Sequence, residues 1–157
     1  LEGYIELKRA MTWTALATGE HHYGRKSFHQ LISARAADIL QPDIEYTGGL
    51  SETLKIYTNA EAAGIETITH MGGNTAWGQH FAMAMPESSL AEWFMNTNVR
   101  QPLGDKLLPG VSTPEKGTVV PSDAPGFGLE IPEDWIVPWE HGNQVRATYL
   151  PPKRSVT

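Results

Sequence analysis

The chain has 157 residues, of which 40% are hydrophobic and 19% charged, and this ordinary globular composition excludes disordered and fibrous classes. A net charge of −6 without a block of Lys and Arg gives no electrostatic reason to expect nucleic acid or a membrane surface as a partner. The sequence contains no cysteine, which excludes disulfides and thiolate zinc sites, and no apolar run of the roughly 20 residues that span a bilayer, so we expect a cytoplasmic protein.

The first predicted element is a helix near the start, where Tyr4, Ile5 and Lys8 have helical spacing. The chain begins at Leu1 and enters this helix at once. We therefore expect the 157 residues to be part of a longer protein.

Three units of strand and helix follow. Their strands are short apolar runs predicted at residues 15–18, 39–40 and 65–69. Their helices are predicted from apolar residues that share one face, namely Phe28, Leu31 and Ile32, then Leu50, Leu54 and Tyr57, then Trp77, Phe81 and Met85. Ser27 and Ser51 are candidate helix caps, and Gly64 is expected to end the second helix. Another apolar run, residues 90–95, predicts a fourth strand.

Strands that alternate with helices imply an α/β fold with a parallel sheet. The even spacing of the units favours a (β/α)-barrel over an open sheet. Four strands are half of an eight-stranded wall. Residues 100–157 hold most of the 11 prolines and lose the alternating pattern, so we expect an irregular segment that packs on another domain.

Four ionisable residues close the predicted strands or lie within the last one: Glu20, Asp43, His70 and Glu92. Taken singly, each of the first three has a simpler explanation, because Glu20 suits a solvated loop, Asp43 a turn after proline, and His70 a hydrogen-bonded strand end. Glu92 is harder to explain, since a carboxylate inside an apolar strand needs a partner. Four such groups in equivalent places favour a site on one rim of the barrel.

Several motifs surround these residues. They are Thr-Gly-Glu-His-His at 18–22, Ala-Asp-Ile-Leu-Gln-Pro-Asp at 37–43, Gly-Gly-Leu at 48–50, Ala-Glu-Trp at 91–93 and Asp-Ala-Pro-Gly-Phe-Gly-Leu-Glu at 123–130. Together they resemble the C-terminal half of enolase-superfamily enzymes of the mandelate racemase subgroup. The His-His pair after Glu20 is most similar to the rhamnonate dehydratase-like acid-sugar dehydratases. The resemblance covers nearly all of residues 1–135.

The resemblance implies a role for each matched residue. Glu20 would be one ligand of an essential Mg²⁺ ion, and the neighbouring His21 would line the substrate pocket. Asp43 and His70 would form the general acid/base dyad. Glu92 would hydrogen-bond the substrate carboxylate and take part in catalysis.

The resemblance also implies the fold and the reaction. Residues 1–99 would supply strands five to eight of a TIM-like barrel, and residues 100–157 would return to an N-terminal capping domain. The reaction would be the Mg²⁺-dependent dehydration of a sugar acid, an aldonate, to a 2-keto-3-deoxy acid. We expect this small molecule as the ligand and a homo-oligomer for the full-length protein. A racemase or epimerase of the same subgroup, and a non-catalytic half-barrel that needs a partner chain, remain alternatives.

The chain also departs from the family pattern. No Lys-x-Lys stretch occurs in it, and the two acidic ligands expected on preceding strands have no counterpart. One of three metal ligands is thus present. We therefore expect the 157-residue chain alone neither to bind Mg²⁺ tightly nor to turn over substrate.

Overall fold

The computed structural model describes residues 1–94 and 109–136. Its helices and strands are, in chain order, α1 Glu2–Ala10, β1 Ala17–Thr18, α2 Gly24–Ser33, β2 Ile39–Leu40, α3 Ile44–Thr47, α4 Leu50–Ala62, β3 Glu66–Thr67 and α5 Ala76–Ala84. Short 3₁₀ helices cover Gly72–Asn74 and Glu133–Trp135. In this part of the chain no helix has the length and apolar character needed to cross a membrane.

The three strands form one parallel sheet in the order β1-β2-β3. Ala17 is in register with Ile39, and Ile39 with Glu66. This confirms the predicted α/β fold with a parallel sheet. The regular strands are shorter than the apolar runs that predicted them, although hydrogen bonds continue past the last paired residues: the His70 amide donates to the carbonyl of Pro42 at 3.1 Å.

The fourth predicted strand does not form within the described residues 90–94, and Met95 lies outside them. The Gly73 amide donates to the Glu92 carbonyl at 2.7 Å, and the Phe94 amide donates to Asn74 Oδ1 at 2.7 Å. The segment is thus held by the turn that follows β3 rather than by a ladder along β3. Strand propensity was overridden by these tertiary contacts.

The core lies between the sheet and helices α2 and α4. Its largest cluster consists of Phe28, Leu31, Ile32, Ala36, Ala37, Leu40, Ile56, Ala60 and Ile65. Complete burial of Phe28 or Ile56 stabilises the fold by about 1.5–3 kcal/mol each. A second cluster joins Ile44, Tyr57 and Phe81, with Trp77 and Met85 packed against it.

The predicted helical faces agree with this core at all but one position. Phe28, Leu31 and Ile32 are buried as expected. On α4, however, Leu54 is 45% exposed, and Thr53 and Ile56 are buried on that helix. The predicted apolar face of α4 is therefore rotated about the helix axis relative to the face that is buried.

Two predicted helix starts are wrong and one predicted end is confirmed. Helix α2 begins at Gly24, so Ser27 lies in its first turns and donates to the Tyr23 carbonyl at 2.7 Å. Helix α4 begins after Gly49 with no side-chain cap, so Ser51 has no capping role. Gly64 follows the end of α4 with φ +68, a left-handed conformation that favours glycine.

Residues 109–136 are irregular, as the proline content predicts. Apart from Glu133–Trp135, their regular contacts are a single bridge between Glu115 and Thr118. This segment meets α5, where Gln79 Nε2 donates to the Ser112 carbonyl at 2.7 Å. Residues 95–108 and 137–157 lie outside the described part, and the division into residues 1–99 and 100–157 stays a prediction.

Candidate active site

Three of the predicted site residues follow the carboxyl ends of the three strands. Glu20 comes just after β1, Asp43 just after β2 and His70 just after β3. Because parallel neighbouring strands end at the same edge, their following loops lie side by side. The sheet therefore brings these three side chains to one rim.

Asp43 and His70 are in direct contact. Asp43 Oδ2 lies 3.0 Å from His70 Nδ1. The other oxygen, Asp43 Oδ1, accepts from the amides of Glu45 at 2.8 Å and Tyr46 at 3.1 Å, and so caps helix α3. Asp43 therefore caps the turn into α3 with one oxygen and contacts His70 with the other, and its role in catalysis stays a prediction. Because the side chain of Asp43 is 12% exposed and both of its oxygens are hydrogen-bonded, its orientation is fixed.

The hydrogen bond to Asp43 assigns the tautomer of His70. An ionised carboxylate can only accept, so Nδ1 carries the proton and donates a hydrogen bond to Asp43 Oδ2. The other ring nitrogen, Nε2, faces Glu20 Oε2 at 3.6 Å, beyond hydrogen-bond distance. In the neutral imidazole Nε2 then holds a lone pair directed to the rim. The side chain of His70 is 24% exposed.

Glu20 is a half-exposed carboxylate between two histidines. Its side chain is 47% exposed. Oε1 lies 3.5 Å from Nε2 of His21, which is itself 76% exposed. The structure therefore places His21 beside Glu20, and its ring lies 6.5 Å from that of Tyr46.

Glu92 reaches the same rim through a backbone contact. Its Oε2 accepts from the amide of Met71, the residue after His70, at 2.7 Å. Met71 has a left-handed backbone with φ +50, an uncommon conformation outside glycine. The carboxylate predicted to need a partner inside an apolar run thus has one in Met71.

Within residues 1–94 and 109–136 no group of three or more His, Cys, Asp or Glu side chains is placed to hold a metal ion. Glu20 offers a half-exposed carboxylate at the rim, and carboxylate oxygens are the donors that Mg²⁺ prefers. The donor chemistry fits one ligand of such an ion. The described residues do not supply a complete ligand set.

Glu45 is a neighbour of the site that the sequence did not single out. It lines a small cavity of about 50 Å³ together with Asp43, His70, Met71 and Thr75. Loss of hydration raises the pKa of the Glu45 carboxyl above its ordinary value, and the charge of Asp43 adds to this effect. From sequence, Glu45 was indistinguishable from an ordinary acidic residue in the first turn of a helix.

Comparison with known proteins confirms the family that the sequence motifs indicate. A family model described as enolase C-terminal domain-like matches residues 1–135. The L-rhamnonate dehydratase of Saccharopolyspora erythraea is 33% identical over 133 residues, which cover 82% of this chain and 34% of that enzyme. The chain therefore spans about a third of the length of this relative.

Solved structures show the same fold. Rhamnonate dehydratase from Gibberella zeae complexed with Mg has a TM-score of 0.74 at 32% identity, over 85% of this chain and 34% of that one. A putative racemase from Roseobacter denitrificans has a TM-score of 0.74 at 28% identity, over 84% of this chain and 37% of that one. With a matching family model over most of its length, the chain belongs to the enolase C-terminal domain-like family.

Proposed function

We propose that this chain supplies the general acid/base part of the active site of a Mg²⁺-dependent acid-sugar dehydratase. The observation that carries the proposal is the 3.0 Å contact between His70 Nδ1 and Asp43 Oδ2, which leaves Nε2 at the rim. The names of the dehydratase relatives support the reaction class. Strands β1, β2 and β3 would be the fifth, sixth and seventh strands of the barrel, and residues 90–95 would take the place of the eighth.

His70 would remove the proton alpha to the carboxylate of an aldonate. The C2–H bond breaks, the proton moves to Nε2, and the electron pair stays on the substrate as an enediolate. An imidazole suits this task because its ordinary pKa of about 6.5 is close to neutral pH. Asp43 would keep the proton on Nδ1 and stabilise the imidazolium that forms.

The second step would use the same histidine. The imidazolium returns its proton to the 3-hydroxyl, the C3–O bond breaks with its electron pair on oxygen, and water leaves. The resulting enol rearranges to a 2-keto-3-deoxy acid. Since one residue serves both steps, the proton and the hydroxyl would leave from the same face of the substrate.

Glu92 and His21 would bind substrate. Glu92 is held by the Met71 amide at 2.7 Å, one residue away from His70, where it could share a proton with a carboxylate oxygen of the substrate. The exposed position of His21 beside Glu20 suits contact with hydroxyl groups.

Glu20 would be one Mg²⁺ ligand. When bound, the ion supplies positive charge beside the substrate carboxylate and thereby lowers the cost of removing the alpha proton. The other ligands would come from outside the described residues. The proposal therefore keeps the expectation that the 157-residue chain alone is inactive.

A racemase or epimerase is the second candidate, because the putative racemase from Roseobacter denitrificans matches the fold equally well. That reaction needs a base on the opposite face of the substrate. His70 would then remove or return the alpha proton without loss of the 3-hydroxyl.

A hybrid enzyme tests the proposal. Residues 1–135 replace the aligned third of the Saccharopolyspora erythraea enzyme, and formation of a 2-keto-3-deoxy acid from L-rhamnonate is measured with Mg²⁺ present. We expect dehydration, and a loss of about 10²–10⁴-fold in kcat for His70→Asn. His29→Asn is the matched control, since His29 is an exposed α2 residue that contacts Ser33. Unchanged activity in His70→Asn would refute the role of His70, and accumulation of the C2 epimer would favour the racemase.

A further inference from the structure

Glu92 is held by the turn at residues 71–74. The Met71 amide donates to its Oε2 at 2.7 Å and the Gly73 amide donates to its carbonyl at 2.7 Å. Two residues on, the Phe94 amide donates to Asn74 Oδ1, and Asn74 Nδ2 donates back to the Phe94 carbonyl. In the described part of the chain these contacts replace the ladder of the predicted fourth strand. The position of Glu92 therefore depends on where this turn lies.

Gln79 of helix α5 also contacts the turn. Its side chain is buried, with 2% of the residue exposed. Nε2 donates to the Gly73 carbonyl at 2.7 Å and to the Ser112 carbonyl at 2.7 Å. Both N–H groups of the side-chain amide thus have backbone acceptors. Gly73 receives one hydrogen bond from Gln79 and gives one to Glu92.

Helix α5 also limits the turn by close packing. A Cβ atom on Gly78 would lie 2.3 Å from the Gly72 carbonyl oxygen and 2.7 Å from Gly72 Cα. The helix backbone and the turn backbone therefore lie in direct contact, with no side chain between them. The hydrogen bond from Gln79 adds a directional contact to this packing, because a hydrogen bond depends on angle as well as on distance.

We propose that Gln79 is a positioning residue of the active site. By holding the Gly73 carbonyl it orients the 71–74 turn, so that the Met71 and Gly73 amides fix the carboxylate and backbone of Glu92. Through Ser112 it also ties this arrangement to the C-terminal segment. The part of Glu92 in substrate binding rests on the function proposed above, whereas the structural coupling does not.

A buried amide side chain has an energetic reason to be paired. An unpaired polar group in this setting costs about 1–3 kcal/mol. Replacing Gln79 with Met removes both donors at similar volume and leaves two carbonyls, Gly73 and Ser112, without them. The turn then becomes free to reorient toward other donors.

Amide hydrogen exchange in the 157-residue chain tests this coupling. In Gln79→Met we expect exchange at Met71 and Gly73 to quicken by about tenfold or more relative to amides of α4, and the Met71 amide proton to lose its carboxylate-bound downfield shift. The matched control is Phe81→Leu, a buried change on the same helix within the second core cluster. Phe81→Leu should lower the global stability of the fold without a selective increase in hydrogen exchange at the Met71 and Gly73 amides. Equal effects of both variants, or no selective effect of Gln79→Met, would refute the proposal.

A second measurement needs no variant. In the unaltered chain the side-chain NH₂ protons of Gln79 should exchange far more slowly than those of a solvent-exposed glutamine or asparagine, because both are donated to buried carbonyls. Exchange at the exposed rate would overturn the proposal even if Gln79→Met does not fold. Neither readout requires catalysis, so an inactive hybrid enzyme together with selective exchange would refute the dehydratase function and leave the coupling standing.

Discussion

Asp43 contacts His70 with one carboxylate oxygen and caps helix α3 with the other. The first contact is 3.0 Å from Oδ2 to His70 Nδ1, and the second joins Oδ1 to the Glu45 amide at 2.8 Å. A single buried side chain thus connects the start of a helix to the orientation of a candidate base. The two functions can be separated by substitution, because asparagine caps helices as well as aspartate does.

The variants Asp43→Asn and Asp43→Ala should therefore differ in the stability of the fold, while both impair His70 as a base. We expect the free energy of unfolding of the Asn variant to exceed that of the Ala variant by about 1 kcal/mol, since Asn keeps the cap. With its oxygen at the cap, the Asn amide directs an NH₂ group at His70 Nδ1 and favours the Nε2–H tautomer. Activity of the hybrid enzyme should then fall on the order of 10³–10⁴-fold in both variants. Urea unfolding and the dehydration assay check the two parts, and equal stability of the variants would show that the cap is unimportant.

Glu45→Gln should stabilise the fold at neutral pH. The gain should be small because Glu45 is an exposed residue. Loss of hydration and the charge of Asp43 raise the pKa of Glu45 in the folded state, so ionisation at this position costs stability once the pH exceeds the ordinary Glu value of about 4.3. The gain in stability from Gln should therefore be present at pH 7 and should fade as the pH falls toward and below the ordinary Glu pKa. Denaturant unfolding of both proteins across this pH range measures it. A gain that is the same at low and neutral pH would contradict the assignment.

Asp38→Asn should have the opposite pH dependence. The Leu16 amide, which donates to Asp38 Oδ2 at 2.9 Å, and then Lys8 lower the pKa of the Asp38 carboxyl in the folded state. Its stabilising contribution is therefore present above the ordinary Asp value of about 3.9 and is lost as pH falls through the lower folded value. Because Asp38 is 40% exposed at its side chain, the effect should be small and decrease with salt. The stability difference between the two proteins, followed from pH 7 into the acid range, is the measurement.

Gly78→Ala should destabilise the fold although alanine favours helices. The added Cβ would lie 2.3 Å from the Gly72 carbonyl oxygen, and we expect a net loss of about 1–3 kcal/mol. Gly3→Ala is the matched control, because Gly3 is also helical and has nothing within 4 Å of the added atom. It should gain about 0.5–1 kcal/mol. Thermal unfolding of the two variants compares the cost of the close contact at Gly78 with the gain from the helix propensity of alanine at Gly3. A stabilised Gly78→Ala would show that helix α5 and the turn can separate.

Part of this arrangement could be predicted from the sequence. The apolar runs before Glu20, Asp43 and His70 identified three neighbouring parallel strands, and the motifs around them identified the family. The common edge of a parallel sheet follows from strand direction alone, which is why three side chains distant in sequence could be placed together. Their roles in catalysis stay predictions.

Other parts could not be predicted because they depend on backbone contacts. Residues 90–94 have the composition of a strand, yet Glu92 is bound by the backbone amides of Met71 and Gly73, and a backbone amide has no sequence signature. The role of Gln79 could not be predicted either. Gln79 is a polar residue in a mostly apolar helix, and its partners are the backbone carbonyls of Gly73 and Ser112, which the sequence does not reveal. The rotated face of α4 has a similar cause, because small buried residues such as Thr53 carry little hydrophobic signal.

The central claim is that Asp43 holds His70 with Nε2 free to accept a proton. Nitrogen-15 NMR of the histidine rings in the 157-residue chain measures this directly, at about pH 8, above the ordinary His pKa of about 6.5, with His70 assigned from the signals that His70→Asn lacks. In the unaltered chain we expect the Nδ1–H tautomer, with a proton on Nδ1 and none on Nε2. In Asp43→Asn we expect this tautomer to be lost. A His70 ring that carries its proton on Nε2 in the unaltered chain would contradict the account.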